Sequence, residues 1–101
     1  MKINFDQELK TLDDQPIISE SKGVTLKSAA VNALLAIYPD EQNLSGEEKA
    51  KRYVLATRIY ANSGDKPDLS LEDIVLIKKL IGKAYGPLIV GQSFQILEGN
   101  V

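Results

Sequence analysis

The chain has 101 residues, and its 12 basic and 14 acidic side chains give a formal net charge of −2. It contains no cysteine, histidine or tryptophan, which excludes disulfides, thiol catalysis, metal sites built from histidine or cysteine, and nucleophiles activated by imidazole. A chain of this length buries roughly two-thirds of its unfolded surface. We therefore predict a single domain over residues 1–101 with a hydrophobic core of its own.

The first residues follow an extended pattern. Ile3 and Phe5 alternate with polar residues, and Asp13 and Asp14 supply a turn signal. This pattern predicts an extended segment or β-hairpin over residues 1–22. Because an isolated hairpin is only marginally stable in water, we expect it to pack on the helices that follow.

The pattern over residues 25–101 is helical. The first predicted helix begins after Thr25, a good N-cap residue, and ends before Pro39. A helix that is apolar on two sides is usually buried on two sides, so we expect this helix at the centre of the fold. Its core stripe consists of Leu26, Ala30, Ala33, Leu34 and Ile37. Its opposite side carries Val31, Leu35 and Tyr38.

A second helix has a start signal of its own. Ser45 and Glu48 form a capping box, and we expect the helix to run to Ala61. Glu48 also stands four residues before Arg52, a spacing at which opposite charges pair on a helix surface. Small, polar and rigid residues over 62–67 then predict a linker.

Two more helices complete the chain. The third is expected to begin after Ser70 and to end at Lys83 or Tyr85. The fourth begins at Pro87, since proline is favoured at the first helical position, and it carries no charge as far as Leu97. We therefore predict a mainly α fold, a compact four-helix domain with an N-terminal extended segment or β-hairpin packed on it. The expected core residues are Leu26, Ala30, Leu34, Ile37, Ile59, Ile74, Ile77, Ile81 and Phe94.

Catalytic and cofactor chemistry finds little support in the sequence. Four adjacent acidic pairs occupy turns or the first turns of helices, where carboxylates have local structural roles. Nothing supplies the partners that an acid/base site needs, and the glycines match no phosphate-binding pattern. We predict that the protein is not an enzyme and has no catalytic, cofactor-binding or metal-binding residues. The acidic pairs are Asp13-Asp14, Asp40-Glu41, Glu47-Glu48 and Glu72-Asp73.

Nucleic-acid and membrane partners are disfavoured. The basic residues of the second helix are interleaved with Glu47 and Glu48, whereas phosphate binding needs a net positive face. Tyr53 and Tyr60 lie seven residues apart, and we interpret them as core aromatics and not as a base-stacking platform. The longest apolar run, residues 33–38, is too short to cross a bilayer. The N-terminal residues do not resemble a secretory leader, which predicts a cytoplasmic location.

The third and fourth helices carry apolar residues that one core face does not explain. Leu76 and Leu80 fall among charged positions, so the hairpin, a partner or a second copy of the chain must cover them. The uncharged fourth helix holds more apolar side chain than a short helix usually buries in a small monomer. It therefore either closes a homodimer on its own copy or inserts between the first helix and the hairpin. The candidate interaction surface consists of Leu76, Leu80, Leu88, Phe94 and Leu97.

Four segments carry a resemblance to known proteins. They are LDDQPI at 12–17, LSGEEKAKRY at 44–53, LEDIVLIKKLIGKAY at 71–85 and VGQ at 90–92. Together they resemble a group of small, largely uncharacterised phage and prophage proteins over most of the chain. The resemblance implies a genomic setting, and it carries over no catalytic residue, since its motifs are helix starts and core stripes.

The leading functional hypothesis combines this setting with the missing catalytic residues. We expect a non-catalytic, phage-type accessory protein that acts through protein–protein interaction, either as an assembly helper or as a binder of a host or phage protein. The first alternative is a small acidic DNA-associated regulator, which would bind duplex DNA in a salt-sensitive way. The last is a small enzyme, which would need a polar pocket with perturbed carboxylates.

Overall fold

The structure is a computed structural model and describes residues 3–19, 21–61 and 67–99. The predicted linker lies outside the described residues except for Pro67. Two short strands precede four α-helices, and a 3-10 turn over Pro39–Glu41 separates the first two helices. The elements are β1 (Ile18–Ser19), β2 (Lys22–Gly23), α1 (Leu26–Leu35), α2 (Gly46–Ala61), α3 (Leu71–Ala84) and α4 (Pro87–Glu98).

The arrangement of the helices confirms the mainly α fold. The predicted second buried side of α1 is incomplete, since Leu35 is 53% exposed. Helix α1 packs against both α2 and α3, and α4 packs against α3. The Cα radius of gyration is 13.3 Å, close to the ~13 Å typical of a folded domain of about 100 residues. Because α2 and α3 both lie on α1, a groove opens between them.

The predicted helix starts are confirmed by their capping geometry. At α1, the Thr25 hydroxyl accepts from the Ser28 amide at 3.1 Å, and the Ser28 hydroxyl accepts from the Thr25 amide at 3.0 Å. At α3, Ser70 and Asp73 form the same reciprocal pair at 3.1 and 3.2 Å. Each pair satisfies amides that a helix start otherwise leaves without partners.

An N-terminal strap, defined as residues 3–19 and 21–25, packs on the helices as predicted. Its three extended stretches form a closed triangle of backbone hydrogen bonds. The amide of Leu9 donates to Val24 at 2.9 Å, that of Val24 to Ile17 at 2.8 Å, and that of Ile17 to Leu9 at 3.1 Å. The predicted turn is present, with Asp14 at a φ of 63°, a left-handed conformation that aspartate tolerates better than most residues. The strap contributes Ile3, Phe5 and Leu9 to the buried interior.

The predicted core is confirmed at seven positions, and Phe94 is half-buried. The seven buried residues are Leu26, Ala30, Leu34, Ile59, Ile74, Ile77 and Ile81.

The prediction for Ile37 is wrong, because its side chain is 96% exposed. Helix α1 ends at Leu35, and Ala36 is already extended at ψ 155°. The hydroxyl of Tyr38 donates to the carbonyl of Ala33 at 2.7 Å, the acceptor that the amide of residue 37 would use in a continuing helix. Tyr38 therefore takes the inward position at this end of α1, and Ile37 points into solvent.

The interpretation of Tyr53 and Tyr60 as core aromatics is also wrong. They are 62% and 71% exposed, since the buried side of α2 lies on another arc of the helix. That side consists of Arg52, Leu55, Ala56 and Ile59.

Candidate interaction site

Two of the five residues predicted as an interaction surface lie in the interior. Leu80 and Leu97 are fully buried, so the prediction is wrong for both. Helix α3 contacts α1 on one side and α4 on another, which buries a wider arc of α3 than its charge pattern indicates. Phe94 is half-buried beneath Lys78, whose Nζ lies 4.9 Å from the ring centroid. Leu88 is 38% exposed, and Leu76 is half-buried.

A charged cluster that the sequence did not reveal holds the loop between α1 and α2. Nη1 and Nη2 of Arg52 donate to Oε1 and Oε2 of Glu41 at 2.7 and 2.8 Å. The guanidinium thus pairs with a residue eleven positions earlier and not with Glu48. The Lys83 ammonium adds contacts of 2.8 Å to Asp40 and 3.5 Å to Glu41. The cluster fastens the loop to α2 and to the end of α3.

The charges of this cluster compensate one another. The hydrogen bonds from Arg52 lower the pKa of Glu41 to about 2, and the hydrogen bond from Lys83 lowers the pKa of Asp40. The same contacts raise the pKa values of Arg52 and Lys83. None of these four groups is therefore poised to exchange a proton near neutral pH, as a general acid or base must be.

An apolar pocket of about 530 Å³ lies beside the cluster. It is formed by the end of α1, the loop and the first turns of α2. Leu35 is 53% and Ile37 is 96% exposed at this pocket, while Lys49 and Gln42 contribute polar groups. The lining residues are Leu34, Leu35, Ala36, Ile37, Tyr38, Pro39, Glu41, Gln42, Leu44, Lys49 and Arg52.

The groove between α2 and α3 is a second concave surface, of about 610 Å³. It includes Leu76, the one member of the predicted interaction surface that lines a concavity described here. Its apolar residues come from both helices, and charged residues stand on each wall. The lining residues are Glu47, Ala50, Lys51, Val54, Leu55, Arg58, Glu72, Asp73 and Leu76.

Neither surface has the donor set of a metal centre. Within residues 3–19, 21–61 and 67–99, no group of three or more acidic, histidine or cysteine side chains is placed to hold an ion. Asp73 caps α3, and Asp40 and Glu41 are engaged with cations. The concavities therefore offer apolar contact and charged rims.

Comparison with models of protein families, with curated proteins and with solved structures finds no match to this chain. In the described part of the chain, no helix has both the length and the apolar character needed to span a membrane.

Proposed function

We propose that this protein is a non-catalytic protein-binding domain, and that the apolar pocket between α1 and α2 receives apolar side chains of its partner. One observation carries the proposal: Ile37, a large aliphatic residue, is 96% exposed at the edge of a concave apolar surface. Apolar patches next to polar rims are typical of protein interaction sites.

The anchoring of the loop on both sides of Ile37 supports this proposal. The Tyr38 hydroxyl donates to the carbonyl of Ala33 at 2.7 Å and lies 3.3 Å from the carbonyl of Leu80. Glu41 is held by the bidentate contact with Arg52. An apolar residue on an anchored backbone loses little conformational entropy when a partner covers it. The pocket is therefore suited to one of the buried apolar anchors that dominate protein interfaces.

The state of the charged groups favours binding over catalysis. Glu41 and Arg52 lie beside the pocket but satisfy each other, so they supply neither a free base nor a free electrophile. The rim instead offers Lys49 and Gln42 for polar contacts around an apolar centre, which is the usual arrangement of a protein interface.

The experiment compares two substitutions, Ile37→Ser and Leu12→Ser, at equally exposed positions. Ile37 and Leu12 are both 96% exposed, and only Ile37 lines the pocket. In affinity capture followed by mass spectrometry, we expect a partner that wild type and Leu12→Ser retain and Ile37→Ser loses. Equal retention by both variants, with helicity unchanged by circular dichroism, would refute the proposal.

The phage or prophage setting, the cytoplasmic location and the homodimer through α4 stay predictions. For the homodimer, α4 offers Leu88 at 38% exposure, while its Leu97 is already buried within one chain. The DNA-associated regulator and the small enzyme remain the lower-ranked alternatives, since the described surfaces are apolar concavities whose rims carry both signs of charge.

A further inference from the structure

The groove between α2 and α3 has the dimensions of a helix-binding surface. Its α2 wall extends from Glu47 to Arg58, which is about 16 Å along a helix axis, or three turns. Glu72, Asp73 and Leu76 from the first turns of α3 form the other wall. Because both walls are helices that pack on α1, the space between them suits a further helix packed by ridges into grooves.

The floor of the groove is apolar and only partly covered. Val54 is 54% exposed, Leu76 is half-buried and Leu55 is 5% exposed. Residues 51, 54, 55 and 58 recur at three- and four-residue intervals, so they share one face of α2. An apolar stripe on an incoming helix would cover Val54 and Leu76 together.

The two walls differ in net charge, since α2 carries Lys51 and Arg58 against Glu47, whereas α3 carries Glu72 and Asp73. Lys51 stands on the α2 wall and Glu72 on the α3 wall, and within the described residues neither lies within 4.0 Å of an opposite charge. By contrast, Arg58 donates to the carbonyl of Asp68 at 2.9 Å, and Asp73 is engaged in the α3 cap. Lys51 and Glu72, together with Glu47 at the N-terminal end of the α2 wall, are therefore the charges that a partner meets first.

We propose that this groove binds an amphipathic helix of a partner protein, with an acidic flank beside Lys51 and a basic flank beside Glu72. The apolar stripe of that helix lies on Val54, Leu55 and Leu76. Helix-in-groove recognition of this kind uses apolar anchors for affinity and flanking charges for partner choice. The surface includes none of the residues that line the apolar pocket at Ile37, so either site can fail without the other.

Three synthetic peptides with one leucine stripe test this proposal. Each is about four turns long; one has a glutamate flank and a lysine flank, one has glutamate on both flanks, and one has lysine on both. Wild-type protein is expected to bind the mixed peptide about three to ten times more tightly than either other peptide, the range that one or two rim ion pairs support. The mixed peptide can bind in the direction that places its glutamate flank beside Lys51, and the other two peptides carry the same charge on both flanks. The comparison is therefore independent of binding direction.

Charge reversals on the protein should change the preferred peptide. Glu72→Lys removes the net negative charge of the α3 wall and should favour the glutamate peptide. Lys51→Glu makes the α2 wall net negative and should favour the lysine peptide. Glu8→Lys, in the N-terminal strap, changes the net charge as Glu72→Lys does and should keep the wild-type order. Val54→Ser should weaken binding of the mixed peptide with helicity unchanged.

Two results would overturn the proposal. One is the absence of binding by all three peptides in calorimetry at millimolar concentration. The other is a result in which Glu8→Lys changes the preferred peptide as much as Glu72→Lys does. The preference would then depend on the net charge of the protein and not on the groove. Neither result bears on the capture experiment with Ile37→Ser.

Discussion

At the scale of single residues, Ser93 combines burial with an unsatisfied hydrogen-bonding group. It is fully buried on α4, and its hydroxyl is the buried side-chain oxygen without a hydrogen-bond partner in the described part of the chain. A buried hydroxyl without a partner costs roughly 1–3 kcal/mol of desolvation. Ser93→Ala removes this cost and leaves the helix propensity no worse.

We expect Ser93→Ala to raise the free energy of unfolding in urea by about 1 kcal/mol. Ser45→Ala is the matched control, because the Ser45 hydroxyl accepts from the Glu48 amide at 3.1 Å at the start of α2. Loss of that cap should lower the free energy of unfolding by about 1 kcal/mol. A loss of stability in both variants would mean that the Ser93 hydroxyl has a partner.

Glu41 makes the stability of the fold depend on pH. Hydrogen bonds from Arg52 lower its pKa from the ordinary 4.5 to about 2. The ionised carboxylate is therefore more stable in the folded chain than in the unfolded chain. The contribution is fully present above the unfolded pKa and is lost as pH falls from 4.5 towards 2.

The melting temperature of the wild-type protein should therefore fall between about pH 5 and pH 2. Glu41→Gln keeps the shape of the side chain but removes its titration, so its melting temperature should start lower at pH 7 and fall less over the same range. Differential scanning calorimetry at several pH values measures both. Parallel curves for the two proteins would contradict a role for this carboxylate in acid unfolding.

At the scale of elements, the end of α1 depends on one phenol. Tyr38 is half-buried, and its hydroxyl donates to the carbonyl of Ala33 in α1 and lies 3.3 Å from that of Leu80 in α3. Proline at position 39 disfavours helical backbone at residue 38, but it does not by itself decide where the side chain of Tyr38 goes. The contact with α3 fixes the loop and keeps Ile37 outward.

Tyr38→Phe should cost about 1–2 kcal/mol in urea unfolding, because it leaves the Ala33 carbonyl without this donor near the end of the helix. Tyr60→Phe serves as control, since Tyr60 is 71% exposed and surface changes of this kind usually stay within about 0.5 kcal/mol. Equal stability of the two variants would show that the phenol does not hold the end of α1.

Helix starts could be predicted from the sequence and the end of α1 could not. Thr25 with Ser28 and Ser70 with Asp73 act within three residues, so local sequence contains the whole signal. Tyr38, in contrast, reaches a carbonyl 42 residues away. A periodic apolar pattern alone therefore extends α1 to Ile37.

The difference between local and long-range contacts also explains which residues of the candidate sites could be predicted. The sequence predicts that another segment or a partner covers Leu76, and the structure places it in the groove between α2 and α3. Leu80 was grouped with it because charged neighbours flank both positions, yet Leu80 is fully buried. The pair of Glu41 with Arg52 joins a loop to a helix, so no helical spacing indicates it. Exposure of Ile37 follows from that loop and was likewise beyond the sequence pattern.

At the scale of the whole molecule, the four helices and the strap share one core. Residues from the strap, from α1 to α4 and from the segment before α3 meet in a continuous apolar cluster. Among its members are Phe5, Leu34, Ile59, Ile77 and Leu97. Because the strap and all four helices contribute, unfolding of a chain of this size is expected to be a single cooperative transition.

The contacts of the strap set an order of events during synthesis. The backbone of Lys10 exchanges hydrogen bonds with the side chain of Gln92, 82 residues later, and the amide of Ile3 donates to the carbonyl of Pro67 at 3.4 Å. Loops this long close at an entropic cost that only a formed core offsets. The contacts of Ile3 with Pro67 and of Lys10 with Gln92 therefore form after the shorter-range ones, in which the amides of Leu26 and Lys27 donate to the carbonyls of Gln7 and Phe5.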